Sequence, residues 1–313
     1  MQVASTLLEK ATPRRLSLPD RGVEIALLDW GGEGPPALFH HANGFCKGSW
    51  AQVAAGLHGR FRTIAMDARG HGDSRFLSEE PCFGWEVFAR DVVAVAEALC
   101  NELGVAQLGL GVGHSFGGTS ILRAAALRPE LFGGLVVLDP VTPPPTAGRD
   151  SPGSELARRA RKRRCEWPSL AEARAWLAER ELFSGWDPVA LDLYLLDGLR
   201  PATRGGVELK CPPWVEAAVF SGDRLDLAAW LGRVEATCLW VWAERGSFPR
   251  VLQQRLAAGM PRARFRVAPT GHLLPMEAPR WVADAVLGFA RANGLGRRPA
   301  GGHVALVGSP GDS

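Results

Sequence analysis

The sequence predicts an α/β protein: a mostly parallel, twisted sheet flanked by helices, with a helical lid inserted near its middle. Three observations carry that prediction. Short apolar runs alternate with helix-like segments up to Val141, the pattern a parallel sheet requires because each crossover must return over the sheet. A Gly-x-Ser-x-Gly run, Gly113-His114-Ser115-Phe116-Gly117, lies between an apolar run and a helix-like stretch. After Val141 the alternation stops, and it resumes only at Ala236.

In chain order, Val23 to Asp29 and Pro36 to Phe39 read as early strands, Trp50 to Leu57 as a helix and Thr63 to Met66 as a strand. Phe88 to Leu103 is an amphipathic helix that leads to the strand Leu108 to Val112. Thr119 to Leu127 is a helix of good formers, and Leu135 to Leu138 is a strand ending in Asp139-Pro140. Pro143-Pro144-Pro145 then opens a segment rich in Arg, Glu, Ala and Trp that reads as helices with no convincing strand. Ala236 to Trp242 and Arg264 to Val267 restore the sheet, and Trp281 to Ala290 closes it with a helix. A chain of 313 residues exceeds what one core usually fills, so a main domain with an insertion is expected. The divisions are a core over 1–141 and 230–296, a lid over 142–229, and a Gly- and Pro-rich tail, Arg297 to Ser313, expected to be mobile and without catalytic duty.

The Gly113 to Gly117 run has the form of a nucleophile elbow. A strand turning sharply into a helix forces its corner residue, here Ser115, into a strained conformation, and glycines on either side avoid side-chain clash. A serine hydroxyl is a weak nucleophile and needs a base, which in turn needs an orienting group. Of seven histidines, His272 has the best address. It follows the strand Arg264 to Val267, behind Gly271, on a loop at a strand's carboxyl end, where sites form in open α/β sheets.

With these residues in place the chain resembles the α/β-hydrolase fold superfamily over most of its length. Arg62 to Ser74, with Arg69-Gly70-His71-Gly72, looks like that superfamily's strand and R-G-H-G-x-S turn, an architectural feature. Ala37 to Phe45 is similar to its H-G-x oxyanion loop, with Ala42 in the usual glycine position and Trp50 at a spacing the family often shows. The resemblance implies that the backbone N–H groups of Phe116 and Asn43 bind the oxyanion, with Ala42 or Gly44 as alternatives to Asn43. At least one of His40 and His41 is expected only to brace that loop. The family's usual acid follows the next-to-last strand in a pattern like G-E-R-D, but here Ala243-Glu244-Arg245-Gly246 leaves glycine in the acid's place. Some relatives, including certain haloalkane dehalogenases, carry the acid one strand earlier, which points to Asp139, with Glu244 the competitor. The plain alternative is that Asp139 caps a turn.

Composition excludes several classes. Hydrophobic residues at 46% and charged residues at 22% describe an ordinary soluble globular protein, and a net charge of +3 does not suggest a polyanion binder. No apolar run approaches bilayer length, and the start, Met1 to Lys10, lacks the pattern of a secretion signal. Six scattered cysteines without C-x-x-C or metal-ligand spacing fit a reduced, cytoplasmic protein with no metal and no cofactor. The run Arg158 to Arg164 reads as the solvated face of a helix, with Leu156 and Ala160 on its inner side, although an acidic or CoA-linked substrate stays open. In the lid, Trp167, Trp176, Phe183, Trp186, Tyr194, Trp214 and Phe220 supply aromatic area, most of it expected to join the lid to itself and to the core.

The expected function is cleavage of an ester, thioester or lactone of a small to medium apolar substrate, with Ser115, His272 and Asp139 as the catalytic residues and Asn43 and Phe116 at the oxyanion. The alternatives are a degenerate member that binds a small molecule, a carbon–carbon bond hydrolase or an acyltransferase. Serine rather than aspartate at the elbow argues against the dehalogenase and epoxide-hydrolase branches. No nucleic-acid partner is expected, and the oligomeric state is open.

Overall fold

The computed structural model describes residues 1–142, 152–223 and 225–296; the proline run at 143–145 and the tail at 297–313 lie outside the described residues. In order, the elements are α1 (Gln2–Glu9), β1 (Thr12–Leu18), β2 (Val23–Asp29), β3 (Pro36–His40), α2 (Ala51–Leu57), β4 (Arg62–Met66), β5 (Arg75–Phe76), α3 (Trp85–Leu103), β6 (Leu110–His114), α4 (Phe116–Leu127) and β7 (Gly134–Leu138). Then follow α5 (Pro152–Arg161), β8 (Glu166–Trp167), α6 (Leu170–Ala178), α7 (Pro188–Gly198), β9 (Leu199–Pro201), β10 (Val207–Leu209) and α8 (Pro213–Ser221). The chain ends with β11 (Thr237–Arg245), α9 (Arg250–Ala258), β12 (Ala263–Gly271), α10 (Leu274–Glu277) and α11 (Pro279–Ala292).

The main sheet runs β1-β2-β4-β3-β6-β7-β11-β12, with β5 paired to β2. Pairing is parallel from β4 through β12 and antiparallel among β1, β2 and β4. β3, β6 and β7 are buried at every position, as central parallel strands covered on both faces must be. Alternate residues of the same strands feed two cores. Leu38, Val137 and Trp240 pack with α3 and α4 on one face, while Phe39, Val112, Val136 and Val241 pack with α2 and α11 on the other. The amphipathic α3 ends at Gly104 in the left-handed conformation (φ 63°), which satisfies its last carbonyls. Pro13 in β1 is tolerated because that strand lies at the sheet's edge. Among the described residues no helix is long and apolar enough to cross a membrane.

Between β7 and β11 the chain leaves the sheet. This stretch is not purely helical: β8, β10 and β9 form a small antiparallel sheet in that order. Strands of two and three residues are too short to leave a periodic signal, but the Gly205-Gly206 pair, with φ of 88° and 81°, marks the turn that joins β9 to β10. In the basic run, Arg158, Arg159, Arg161, Lys162 and Arg164 are exposed, as expected of a solvated face. Arg163 instead turns inward to Glu216 (2.7 Å), because α5 ends at Arg161 and helical phase no longer governs it. Ala157 and Ala160 form the buried side of α5, whereas Leu156 is exposed. Trp167, Phe183, Trp186 and Tyr194 are buried in one cluster with Phe45 of the β3–α2 loop.

Candidate active site

The elbow follows from local sterics. Ser115 stands between β6 and α4 at φ 55°, ψ −121°, and Ser115 and Asp139 (φ 42°) are the two non-glycine residues with positive φ among those described. A Cβ on Gly117 would come within 2.5 Å of His40 Nδ1 and of the His40 and His41 carbonyls, and one on Gly113 would strike the Gly117 carbonyl. Only glycine lets strand, corner and helix approach this closely. The Ser115 N–H donates to the Leu138 carbonyl (2.9 Å), tying the corner to β7.

His272 follows β12 directly. Glu277 accepts the N–H groups of Gly271 (2.6 Å) and Leu273 (3.2 Å), and the Nε2–H of His114 donates to the His272 carbonyl (2.7 Å). The loop is thus gripped on both sides of the imidazole. His272 Nδ1 lies 2.6 Å from Asp139 Oδ2, and Nε2 lies 2.8 Å from Ser115 Oγ. Donation from Nδ1–H to the carboxylate leaves Nε2 free to accept the serine proton. Asp139 is fully buried just beyond β7; its N–H donates to Val241 O (2.7 Å) and its Oδ1 accepts the Ala243 N–H (3.2 Å). Glu244 is exposed. The edge of Phe248 meets the His272 ring at a 5.6 Å centroid distance, and its carbonyl is held by Trp242 Nε1–H at 2.8 Å.

Among the described residues no acceptor takes the backbone N–H of Asn43 or of Phe116, at the first turn of α4. The N–H groups of Ala42 and Gly44 are likewise untaken there. Both His40 and His41 are bracing residues. His41 Nδ1–H donates to Ala42 O (2.7 Å) and Nε2 accepts the Ala68 N–H (3.0 Å). Burial holds His40 and His71 down to about 4 and His41 and His114 well below the ordinary histidine range, so all four are neutral.

Beside this loop lies a charge cluster with no signal in the sequence, because its members are far apart in the chain. Lys47 is buried with its ammonium 2.8 Å from Asp67, 2.7 Å from Asp73 and 3.1 Å from Asp197. The three carboxylates outweigh desolvation and push Lys47 well up; burial pushes Asp67 up to about 6 against the pull of Lys47. Sequence reading also missed His114 and Glu277; a polar residue inside the elbow and an acid five residues after His272 are the signals that point to them. Among the described residues no group of three or more His, Cys, Asp or Glu converges to hold a metal ion.

A sequence model described as the alpha/beta hydrolase family matches residues 37–285. The chain is similar to abhydrolase domain-containing protein ACTT2 of Alternaria alternata, 27% identical over an alignment of 216 positions that covers 56% of this chain and 80% of that protein. Over a shorter stretch it is similar to protein phosphatase methylesterase 1 of Mus musculus, 36% identical over 115 residues that cover 36% of this chain and 29% of the relative. Among solved structures it is similar to E-2-(acetamidomethylene)succinate hydrolase, with a TM-score of 0.76 and 23% identity over 90% of this chain and 99% of the other. It is also similar to a thioesterase domain from the curacin biosynthetic pathway, with a TM-score of 0.72 and 21% identity over 88% and 99% of the two chains. At these identities the structural likeness speaks for the fold.

Proposed function

The chain belongs to the alpha/beta hydrolase family, and on that premise we propose that it is a serine hydrolase cleaving an ester, thioester or lactone of a small to medium apolar substrate. Ser115 Oγ attacks the carbonyl carbon while His272 Nε2 takes its proton, and Asp139 steadies the imidazolium. The N–H groups of Phe116 and Asn43 bind the oxyanion, together worth several kcal/mol of transition-state stabilisation. His272 returns the proton to the leaving group as the acyl-enzyme forms. Water then gives its proton to His272, attacks the acyl carbon and releases the acid, and Ser115 recovers its hydrogen. The segment 142–229 serves as the lid, walling the pocket with apolar surface.

The observation that carries this reading is the unbroken chain from Ser115 Oγ to His272 (2.8 Å) to Asp139 (2.6 Å). An apolar substrate is favoured over an acidic one because Arg163, whose guanidinium lies beside Gly44 of the β3–α2 loop, already pairs with Glu216 and with the Tyr194 hydroxyl. Six free cysteines support a reducing, cytoplasmic setting.

The test is labelling with a fluorophosphonate probe together with a panel of p-nitrophenyl esters of rising acyl length. Wild-type protein should label and turn over the shorter esters, and Ser115→Ala should do neither. Labelling that survives in Ser115→Ala would assign the nucleophile elsewhere. Silence of the wild type in both assays, with tight binding of a metabolite, would replace the hydrolase by a small-molecule receptor.

A further inference from the structure

The β3–α2 loop is held from two directions. From the core, the Lys47 N–H donates to Asp67 Oδ1 (2.7 Å), and His71 Nε2 lies 3.0 Å from Asn43 Oδ1. From the segment between β7 and β11 come four more contacts. Asn43 Nδ2–H donates to the Glu216 carbonyl (3.0 Å), the Tyr194 hydroxyl to Gly44 O (3.4 Å) and the Gly48 N–H to Asp197 Oδ2 (2.8 Å), while Lys47 Nζ reaches Asp197 Oδ1 (3.1 Å). Lys210, from the same inserted segment, pairs with Asp73 (2.8 Å). The Phe45 ring also packs on Trp186 and Tyr194.

We propose that Lys47 and Asp197 form a buried clasp that makes seating of the inserted segment a condition for a formed oxyanion site. The proposal rests on the serine-hydrolase reading. Lys47 and Asp197 touch no substrate and act as positioning residues. Lifting α7 and α8 would carry Asp197 away from the Lys47 ammonium, leaving Lys47 with Asp67 and Asp73 and breaking the ion pair and the Gly48 N–H bond that join the segment to the loop. The same motion pulls on the Gly48 N–H and removes the Glu216 carbonyl from Asn43 Nδ2 and the Tyr194 hydroxyl from the Gly44 carbonyl. The peptide planes around Asn43 and Gly44 set where their N–H groups point. With the segment unseated the site keeps its serine, its base and the Phe116 N–H but loses the aimed donor of the β3–α2 loop, and the loss falls on the transition state and not on the bound substrate.

The experiment compares Asp197→Asn, Asp197→Ala and Lys47→Met in the full chain. Asp197→Asn keeps an oxygen for the Gly48 N–H and removes the charge, so it is the variant expected to stay folded. The expected result is a fall in kcat of about tenfold or more, an equal fall in affinity for a trifluoromethyl ketone, which mimics the oxyanion, and KM within about twofold. Amide hydrogen exchange should rise at 42–48 while β6 and β7 keep their protection. Faster exchange in the loop with unchanged kcat and ketone affinity would overturn the proposal, because the clasp would then position nothing that reacts. An equal rise of exchange across β6 and β7 in Asp197→Asn would overturn it too, since the cluster would be holding the whole fold. Failure of the hydrolase reading shows separately, as wild-type protein that neither labels at Ser115 nor turns over esters, and the positioning role falls with it.

Discussion

A side chain on Gly246 and the carboxylate of Asp139 would occupy one place: a Cβ built on Gly246 stands 2.6 Å from Asp139 Oδ2. The two residues follow adjacent parallel strands, β7 and β11, so either strand end can present an acid to His272 Nδ1, but not both. Glycine after β11 is thus the steric counterpart of aspartate after β7.

If Asp139 is the acid, as proposed, it can therefore be moved. Gly246→Asp alone should lose activity by crowding Asp139, and Asp139→Gly alone should lower kcat by about 10³–10⁴. The double variant Asp139→Gly/Gly246→Asp should recover at least about tenfold over Asp139→Gly, since glycine also accepts the φ of 42° at that corner. Ester turnover by the three proteins decides the matter, and a double variant no better than either single one would refute the shared-site account.

Glu244 should be dispensable. Its side chain is exposed, whereas Asp139 is buried against the imidazole. Glu244→Gln should keep kcat within about twofold, while Asp139→Asn should lose about 10³ or more by favouring the wrong tautomer of His272. The reverse ranking in a kcat measurement would move the acid to β11.

Gly117→Ala tests the elbow's packing. The added methyl would meet His40 Nδ1 and two carbonyls at 2.5 Å, and neither strand nor helix can retreat from a central position. A loss of about 2 kcal/mol or more in urea unfolding is expected. A variant as stable as wild type would show that the corner is looser than the contacts imply.

Stability should fall with acidification. In the unfolded chain imidazoles titrate near 6.5, whereas burial holds His40 and His71 at about 4 and His41 and His114 also well below normal. Between those values the unfolded chain takes up protons that the folded chain refuses, so stability that is complete above pH 6.5 is lost toward pH 4. By pH 4, His40 and His71 each account for about 3 kcal/mol. Asp67 works the other way: burial holds its carboxyl up at about 6, so its protonation below that value returns part of the loss. Four imidazoles outweigh one carboxyl, so urea unfolding at about pH 5 should show several kcal/mol less stability than at about pH 7. A midpoint equal at both would mean that these histidines are not held neutral.

What could be read from the chain was local. The strands of the central sheet, the elbow around Ser115 and the loop address of His272 each depend on neighbours a few residues away, where alternation of apolar residues and the steric freedom of glycine leave a pattern. Asp139 was singled out by the family resemblance, with glycine at 246 in the usual acid position, and not by a local pattern. Long-range contacts alone decided the rest. The antiparallel β8-β10-β9 sheet uses strands too short for a period, Arg163 turned inward because Glu216 is 53 residues away in sequence but 2.7 Å away in space, and Lys47 found its counter-ions at 67, 73 and 197. A buried charge must be neutralised by whatever the fold brings to it, and no local pattern encodes which distant residue that will be.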